Sequence, residues 1–206
     1  NKAAFLIYAP HEIPSCLEFT NYWRELAQQH GVGDLHFIAH MQSDPAPFGC
    51  DSAVDNAPFT KIPTPQMTVT ALPGREAPKV WSYKDFVEFM KSKPLGAREH
   101  PLVFPNWDNS PRSGARGLVL HGSTPQLYEE HLSDAVRKVQ HIADSQERVV
   151  FIKAWNEWAE GNYLEPDSRY GHQYLEATKR ALSGASVSQA VVQKETSIIG
   201  LADSFA

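Results

Sequence analysis

Two glutamates, Glu157 and Glu160, lie three positions apart in a short segment that also carries the indole side chains of Trp155 and Trp158. Carboxyl groups donate and accept protons, and indole rings can stack on sugar rings. A spacing of three on a helical turn or in a tight loop can bring both carboxyl groups to one face, and retaining glycosidases hold theirs about 5–5.5 Å apart. Two carboxylates this close differ in proton affinity, so that one can serve as the acid while the other serves as the base. The segment therefore indicates chemistry on a carbohydrate, and the alternative interpretation is two solvated surface acids.

Several residues around this pair could contact a sugar. Trp107 could form a stacking wall while Asp108 and Asn109 bind hydroxyl groups, although Asp-Asn-Ser-Pro is also typical of a turn. Arg112 could bind an anionic group, but a structural role in fixing the loop through Asp108 is favoured. Glu165 could contact the substrate or lead into a helix. The full set of candidate substrate contacts is Trp107, Asp108, Asn109, Trp155, Asn156, Trp158, Tyr163 and Glu165.

The sequence gives little sign of a metal or a cofactor. His36 and His40 are four positions apart, but they fall in a predicted strand without a third ligand nearby, so core or surface histidines are favoured over a metal pair. The chain contains no glycine-rich phosphate loop, no Gly-x-Ser-x-Gly elbow and no Asp-x-Asp element. We therefore predict no metal and no cofactor.

The composition is that of a globular domain. The 206 residues are 42% hydrophobic and 21% charged, and the formal net charge is −5. A weakly acidic chain argues against nucleic acid or anionic lipid as the partner, because both require clustered Lys and Arg. The chain has no apolar run long enough to span a bilayer. Cys16 and Cys50 lie outside any Cys-x-x-Cys pattern, and two buried thiols are favoured over a single disulfide.

Apolar runs alternate with segments of helical period along the chain. The predicted strands are Ala3–Ala9, Leu35–Ala39, Pro101–Phe104 and Arg148–Ala154, and the predicted helices are Leu17–His30, Trp81–Lys93, Pro125–Ile142 and Tyr170–Leu182. The proline-rich stretch Asp44–Gly74 has no sustained period, which favours a functional loop. Residues 1–182 form the expected domain, and residues 183–206 form an expected flexible tail or linker.

The order of the elements predicts an α/β fold. Apolar strands without alternation are typical of a parallel sheet that is covered on both faces. In such folds functional residues gather beyond the carboxyl ends of the strands, and Trp107 and Glu157 both follow a predicted strand. Four strand–helix units make half of an eight-stranded (β/α)8 barrel of the TIM type, which usually takes about 250 residues. We therefore expect a partial barrel that a missing half or a partner completes.

Three segments carry a resemblance to a known family. The run Trp-Asn-Glu-Trp-Ala-Glu-Gly-Asn-Tyr-Leu-Glu-Pro-Asp over 155–167 closely resembles the WbsX-like family, Phe104–Arg112 resembles its Trp-Asp-Asn-Thr-x-Arg segment, and Phe48–Val54 is similar to a weaker third motif. These proteins are linked to bacterial polysaccharide, O-antigen and lipopolysaccharide biosynthesis, and they are related to the endo-α-mannosidases of glycoside hydrolase family 99. The resemblance runs from the first strand to the last helix. It implies a (β/α)8 barrel of which this chain holds the carboxyl-terminal part, since the family's amino-terminal motifs are absent.

The resemblance also implies roles for the two glutamates. In the related endo-α-mannosidases the residue matching Glu157 deprotonates the sugar 2-hydroxyl, which attacks the anomeric carbon, and the residue matching Glu160 is the general acid/base. Ala159 stands where those hydrolases often carry His, so substrate contacts there must differ. The expected activity is that of an enzyme acting on an α-linked oligosaccharide or polysaccharide in the cytoplasm. The alternatives are a glycosyltransferase using an activated sugar donor and a non-catalytic carbohydrate-binding domain.

Overall fold

Strands and helices alternate in the computed structural model, which describes residues 2–54, 66–70 and 76–184. The strands are β1 Ala3–Ile7, β2 Leu35–His40, β3 Ser52–Val54, β4 Lys79–Ser82, β5 Leu102–Val103, β6 Trp107–Asp108, β7 Leu118–His121, β8 Phe151–Ile152, β9 Asn156–Glu157 and β10 Asn162–Tyr163. The α-helices are α1 Cys16–Gln29, α2 Tyr83–Ser92, α3 Ser110–Ser113, α4 Pro125–Gln140 and α5 Gln173–Ser183.

The main sheet is parallel, as the apolar strands predict. β1 pairs with β2, and β2 pairs with β3, in parallel register. An isolated parallel bridge from Ala53 to Glu99 joins β3 to the segment that leads into β5, and β5 pairs in parallel with β8. The strand order is therefore β1-β2-β3-β5-β8. Over the described ranges this sheet is open. That it forms half of a TIM-type barrel stays a prediction.

The strand β3 lies inside the stretch that we predict to be a loop. Its three residues, Ser52–Val54, are all buried in the middle of the sheet. A strand this short shows no measurable period, and the prolines on either side of it are typical of loops. Residues 66–70 of the same stretch are without regular structure, as predicted, whereas residues 55–65 and 71–75 lie outside the described residues.

A smaller sheet, ordered β4-β7-β6, was not predicted from the sequence. β4 runs parallel to β7, and β6 runs antiparallel to it. The prediction that Trp81 begins a helix is therefore wrong, because Trp81 lies in β4. The helix α2 begins two residues later, where the Ser82 hydroxyl accepts a hydrogen bond from the Asp85 backbone N–H at 3.2 Å and caps the helix.

The remaining helices lie close to their predicted positions. Thr124 caps α4 by accepting the Leu127 backbone N–H at 3.3 Å, and Pro125 occupies the first turn, as expected from its fixed φ. The helix α5 begins three residues later than predicted, at Gln173. The expected tail lies outside the described residues from position 185 onward. Within the described ranges, no helix is both long and apolar enough to cross a membrane.

Helices cover one face of the main sheet. α1 packs against Phe37 and Ala39 of β2, and α4 and α5 pack against Val103 of β5. Burying one such large apolar side chain contributes about 1.5–3 kcal/mol. Because side chains alternate along a strand, the intervening residues point to the opposite face, which we call the front face. The front face includes Tyr8, His36, Ile38, His40, Ser52, His100, Phe151 and Lys153.

Candidate functional site

The two glutamates lie on one short hairpin after β8. Asn156–Glu157 pairs antiparallel with Asn162–Tyr163, and a 3₁₀ turn over Trp158–Glu160 connects the two strands. Gly161 closes the turn with a φ of +51°, and a Cβ at this position would lie 3.0 Å from both the backbone N and the backbone O of Asp108. Glycine is therefore required here for two reasons, backbone conformation and close approach. The two glutamates therefore lie on one tight loop, and the convergence of their carboxyl groups stays a prediction.

Glu160 forms an ion pair with Arg112, which we had expected to pair with Asp108. Its Oε1 lies 3.3 Å from Nη2 of Arg112, whose side chain is 62% exposed, whereas the Glu160 side chain is only 18% exposed. We expected Arg112 to fix its loop through Asp108. The structural role holds, but the contact joins α3 to the hairpin and positions the Glu160 carboxyl group.

Glu157 sits opposite a buried amide. It pairs across the hairpin with Asn162, so the two side chains lie on the same face of the ribbon. Asn162 is fully buried, and neither polar atom of its side chain has a hydrogen-bond partner among the described residues. A buried amide without partners is costly, which makes this face of the hairpin unusual for a purely structural loop.

An aromatic platform flanks the turn. The rings of Trp158 and Tyr163 stack with centroids 3.7 Å apart and an interplanar angle of 13°, and Trp158 remains 48% exposed. The indole Nε1 donates to Glu165 Oε2 at 2.6 Å, and the Tyr163 hydroxyl donates to Asp167 Oδ2 at 3.1 Å. Burial and the Asp167 carboxylate raise the pKa of Tyr163. The exposed indole of Trp158 is thus fixed by Tyr163 on one face of the ring and by Glu165 at the ring nitrogen.

The side chains at the end of β6 make hydrogen bonds that are typical of a turn. Asp108 Oδ1 accepts the backbone N–H of Ser110 at 2.9 Å and its hydroxyl at 2.6 Å, and Asn109 Oδ1 accepts the Leu118 N–H at 2.7 Å. Trp107 is only 8% exposed and packs edge-on against Phe104, which leaves little of its ring for stacking on a sugar. The turn interpretation accounts for these contacts, and sugar binding by the same side chains stays a prediction.

One pocket of about 720 Å³ divides the candidate residues into two groups. Its walls include Trp107, Asp108, Trp158 and Tyr163. The candidates that do not line it are Asn109, Trp155, Asn156, Glu157, Glu160 and Glu165. Trp155 is 55% exposed, and its backbone carbonyl accepts the N–H groups of Leu164 and Glu165. The aromatic platform therefore borders the pocket, whereas the two glutamates lie outside its lining.

The front face carries polar residues at its carboxyl end, and the sequence analysis missed one of them, Lys153. The Lys153 ammonium lies 5.0 Å from the centroid of the Trp107 ring. His40 stacks on Tyr8 with centroids 4.8 Å apart, and burial lowers the pKa of His40. The sequence could have indicated Lys153 as a site residue, because it is a charged residue between the apolar run of β8 and the motif that begins at Trp155.

The cysteines and histidines have the structural roles that the sequence analysis favoured over a disulfide and a metal pair. Cys16 and Cys50 are free buried thiols, and burial raises the pKa of Cys50 to about 11. His36 hydrogen-bonds Ser52, and His40 contacts the Tyr8 carbonyl, so the two histidines have separate partners. No group of three or more His, Cys, Asp or Glu side chains in the described part of the chain could hold a metal ion.

The overall fold resembles that of a known structure. A solved structure described as a glycoside hydrolase-like protein matches with a TM-score of 0.57 and 15% identity, covering 87% of this chain and 54% of that chain. At this identity the likeness concerns the fold alone. The family described as glycosyltransferase WbsX matches residues 1–178, and the chain belongs to the WbsX family.

Two relatives from Xanthomonas campestris pv. campestris are similar to most of this chain. WxcX of strain B100 and WxcX of strain ATCC 33913 are each 34% identical to this chain over 194 residues. The match covers 90% of this chain and 27% of each relative, so the chain spans about a quarter of the length of these proteins.

Proposed function

We propose that this protein acts on an α-linked glycan during the synthesis of a bacterial surface polysaccharide. The family name supports a sugar-transfer or sugar-cleaving activity, and the fold is of a kind that glycoside hydrolases use. The observation that carries the proposal is the composition of one hairpin. Glu157, Glu160 and the half-exposed indole of Trp158 share it, and Gly161 fixes it against Asp108.

The proposed chemistry assigns one proton transfer to each glutamate. Glu157 removes the proton from the sugar 2-hydroxyl, whose oxygen then attacks the anomeric carbon. Glu160 gives its proton to the oxygen that leaves the anomeric carbon. It then removes a proton from the incoming water or sugar hydroxyl, which attacks the anomeric carbon, while the 2-oxygen leaves that carbon and takes its proton back from Glu157. The ion pair with Arg112 supports an orienting role for the Glu160 carboxyl group. In the proposed mechanism this ion pair opens when the glycan binds, and Glu160 then carries the proton that it donates. Trp158 supplies an apolar face on which a sugar ring can stack.

A glycosyltransferase is the second candidate, and the description of the family favours it. A nucleotide-sugar donor requires a site for its diphosphate, commonly a metal held by carboxylates or the amino terminus of a helix. A third candidate is a binding domain that keeps the aromatic platform without turnover. Glu160 separates the two enzymes from the binding domain, since only an enzyme needs the proton of this side chain.

The test is a screen of the full-length protein against α-linked bacterial oligosaccharides, read by mass spectrometry. Cleavage or transfer that disappears in Glu160→Gln supports the enzyme, whereas unchanged glycan affinity without any product supports the binding domain. Thermal stabilisation by a free nucleotide-sugar supports the transferase. Glu176→Gln, an exposed glutamate on α5, is the matched control and should leave every readout unchanged. The proposal is wrong if no glycan is cleaved, transferred or bound.

A further inference from the structure

We propose that the ammonium group of Lys153 binds the carboxylate of a uronic acid residue in the glycan, so that the protein selects an acidic substrate. The inference rests on the proposed function, because it names the class of glycan that would enter the same end of the sheet. It concerns a residue outside the glutamate hairpin.

The position of Lys153 is fixed by the main sheet. Lys153 follows β8 directly, and its backbone N–H donates to the Val103 carbonyl at 2.9 Å, which continues the pairing between β8 and β5. The preceding residue, Ile152, packs with the helices on the covered face. Lys153 therefore points to the front face at the carboxyl end of the strands, where substrates of parallel α/β folds bind.

The charge of Lys153 is not matched by a carboxylate. Lys91, Lys93 and Lys138 each form an ion pair with an acidic side chain at 3.0 Å or less. Lys153 has no acidic partner among the described residues, and its ammonium instead lies over the Trp107 ring. The residue is half-buried. An ammonium group without a carboxylate partner in the protein can bind the carboxylate of a ligand.

His40 and Tyr8 lie at the same end of the front face as Lys153. His40 feels the positive charge of Lys153, and burial together with that charge favours the neutral imidazole. Tyr8 stacks on His40 and is 61% exposed, so the carboxyl end of the front face also carries an exposed aromatic ring. A single cation beside exposed aromatic surface matches a sugar ring that bears one carboxylate.

A diphosphate fits this position less well. Diphosphate groups are usually held by a helix amino terminus, by several cations or by a metal ion. At the carboxyl end of the front face, the described contacts place Lys153 as a single cation among aromatic rings. A monoanionic sugar is therefore the better match, and an activated sugar donor becomes one arm of the test.

The experiment compares matched ligands in the full-length protein by saturation-transfer NMR and calorimetry. The probes are an α-linked hexose trisaccharide, the same trisaccharide with its terminal C6 oxidised to a carboxylate, and a uridine diphosphate hexose. We expect the oxidised trisaccharide to bind more tightly than the neutral one. Lys153→Gln should weaken its binding about 10- to 100-fold, the usual effect of losing a charge-assisted hydrogen bond, and leave the neutral trisaccharide unaffected.

Two further variants separate a binding role from a structural one. Lys153→Arg keeps the charge and should retain a preference for the oxidised trisaccharide, whereas Lys179→Gln, at an exposed position on α5, should behave as the unaltered protein. Equal binding of the neutral and oxidised trisaccharides overturns the inference but leaves the proposed function standing. Preferential binding of the uridine diphosphate hexose that depends on Lys153 also overturns it. Absence of binding by all three probes counts against both proposals.

Discussion

The two ends of the front face are built from similar residues but differ in how their polar groups are satisfied. At the amino end, Nε2 of His36 and Nε2 of His100 both contact the Ser52 hydroxyl, at 2.8 and 2.9 Å. At the carboxyl end, Lys153 faces an aromatic ring and has no acidic partner among the described residues. The first arrangement satisfies polar groups within the protein, while the second leaves a charge for a ligand.

Space alone does not distinguish the two ends. A cavity of about 290 Å³ borders His36 and His100 and is also lined by Asp144 and Glu147, so the amino end has both room and acidic residues. The hydrogen bonds make the difference, because a polar group that already has a protein partner gains little from a ligand. We therefore expect substitutions at the amino end to affect stability and those at the carboxyl end to affect activity.

The largest expected effect lies beyond the carboxyl end. Glu160→Gln keeps the shape of the side chain but removes the proton that the proposed mechanism transfers, and turnover of a glycan substrate should fall about 100- to 10,000-fold. The free energy of unfolding should change little, because the single ion pair with Arg112 is partly exposed. His36→Gln, the contrasting change at the amino end, should retain most of the turnover. Equal losses in both variants would contradict the proposed division between the two ends.

The second effect is on stability. Ser52→Ala removes the hydroxyl that contacts both histidines in a nearly buried position, 4% exposed. The buried imidazole of His100 loses this partner, which should lower the free energy of unfolding by about 1–3 kcal/mol. Urea denaturation followed by circular dichroism measures the change. Glycan affinity should stay the same, and a loss of affinity at unchanged stability would place the binding site at the wrong end.

The sequence predicted the elements that have clear patterns. The parallel arrangement and the helix starting at Pro125 follow from apolar runs and a capping threonine. The strand β3 was missed because three residues carry no period, although burial in the middle of the sheet makes it a strand. Pairing with the neighbouring strand, rather than the local sequence, therefore determines the conformation of β3.

The site was less predictable than the fold because it depends on pairings between distant segments. Asp108 and Arg112 lie close in sequence, but the hairpin brings Glu160 to Arg112. Trp107 is largely buried because Phe104 and Lys153 pack against its ring, and no motif encodes those contacts. Lys153 itself was detectable only through its place in the alternation after β8. Motif positions therefore indicated the region of the site but not which atoms meet.

The third effect is a pH dependence at the amino end. Burial, helped by the nearby His36, lowers the pKa of His100 from its ordinary value of 6.5. The folded state therefore resists a proton that the unfolded chain binds, and stability should fall as the pH drops below 6.5 toward the lower pKa of the folded state. One such proton changes stability by at most about 1.4 kcal/mol per pH unit. His100→Gln should flatten this part of the curve in urea melts between neutral and acidic pH, and an unchanged slope would contradict the assignment.

The smallest effect tests whether Lys153 and His40 share the carboxyl end. The positive charge of Lys153 helps to keep the pKa of His40 below its ordinary value, although burial is the larger cause. Lys153→Gln removes the charge but leaves the burial, so the pKa of His40 should rise part of the way back. Titration of the imidazole ¹H–¹⁵N signals by NMR measures this shift. His100 serves as the internal control, because its pKa is set by burial and by groups at the other end of the sheet. If the two histidines shift together, the variant has altered the whole sheet. If only His40 shifts, the ammonium group of Lys153 lies near His40 at the carboxyl end of the front face.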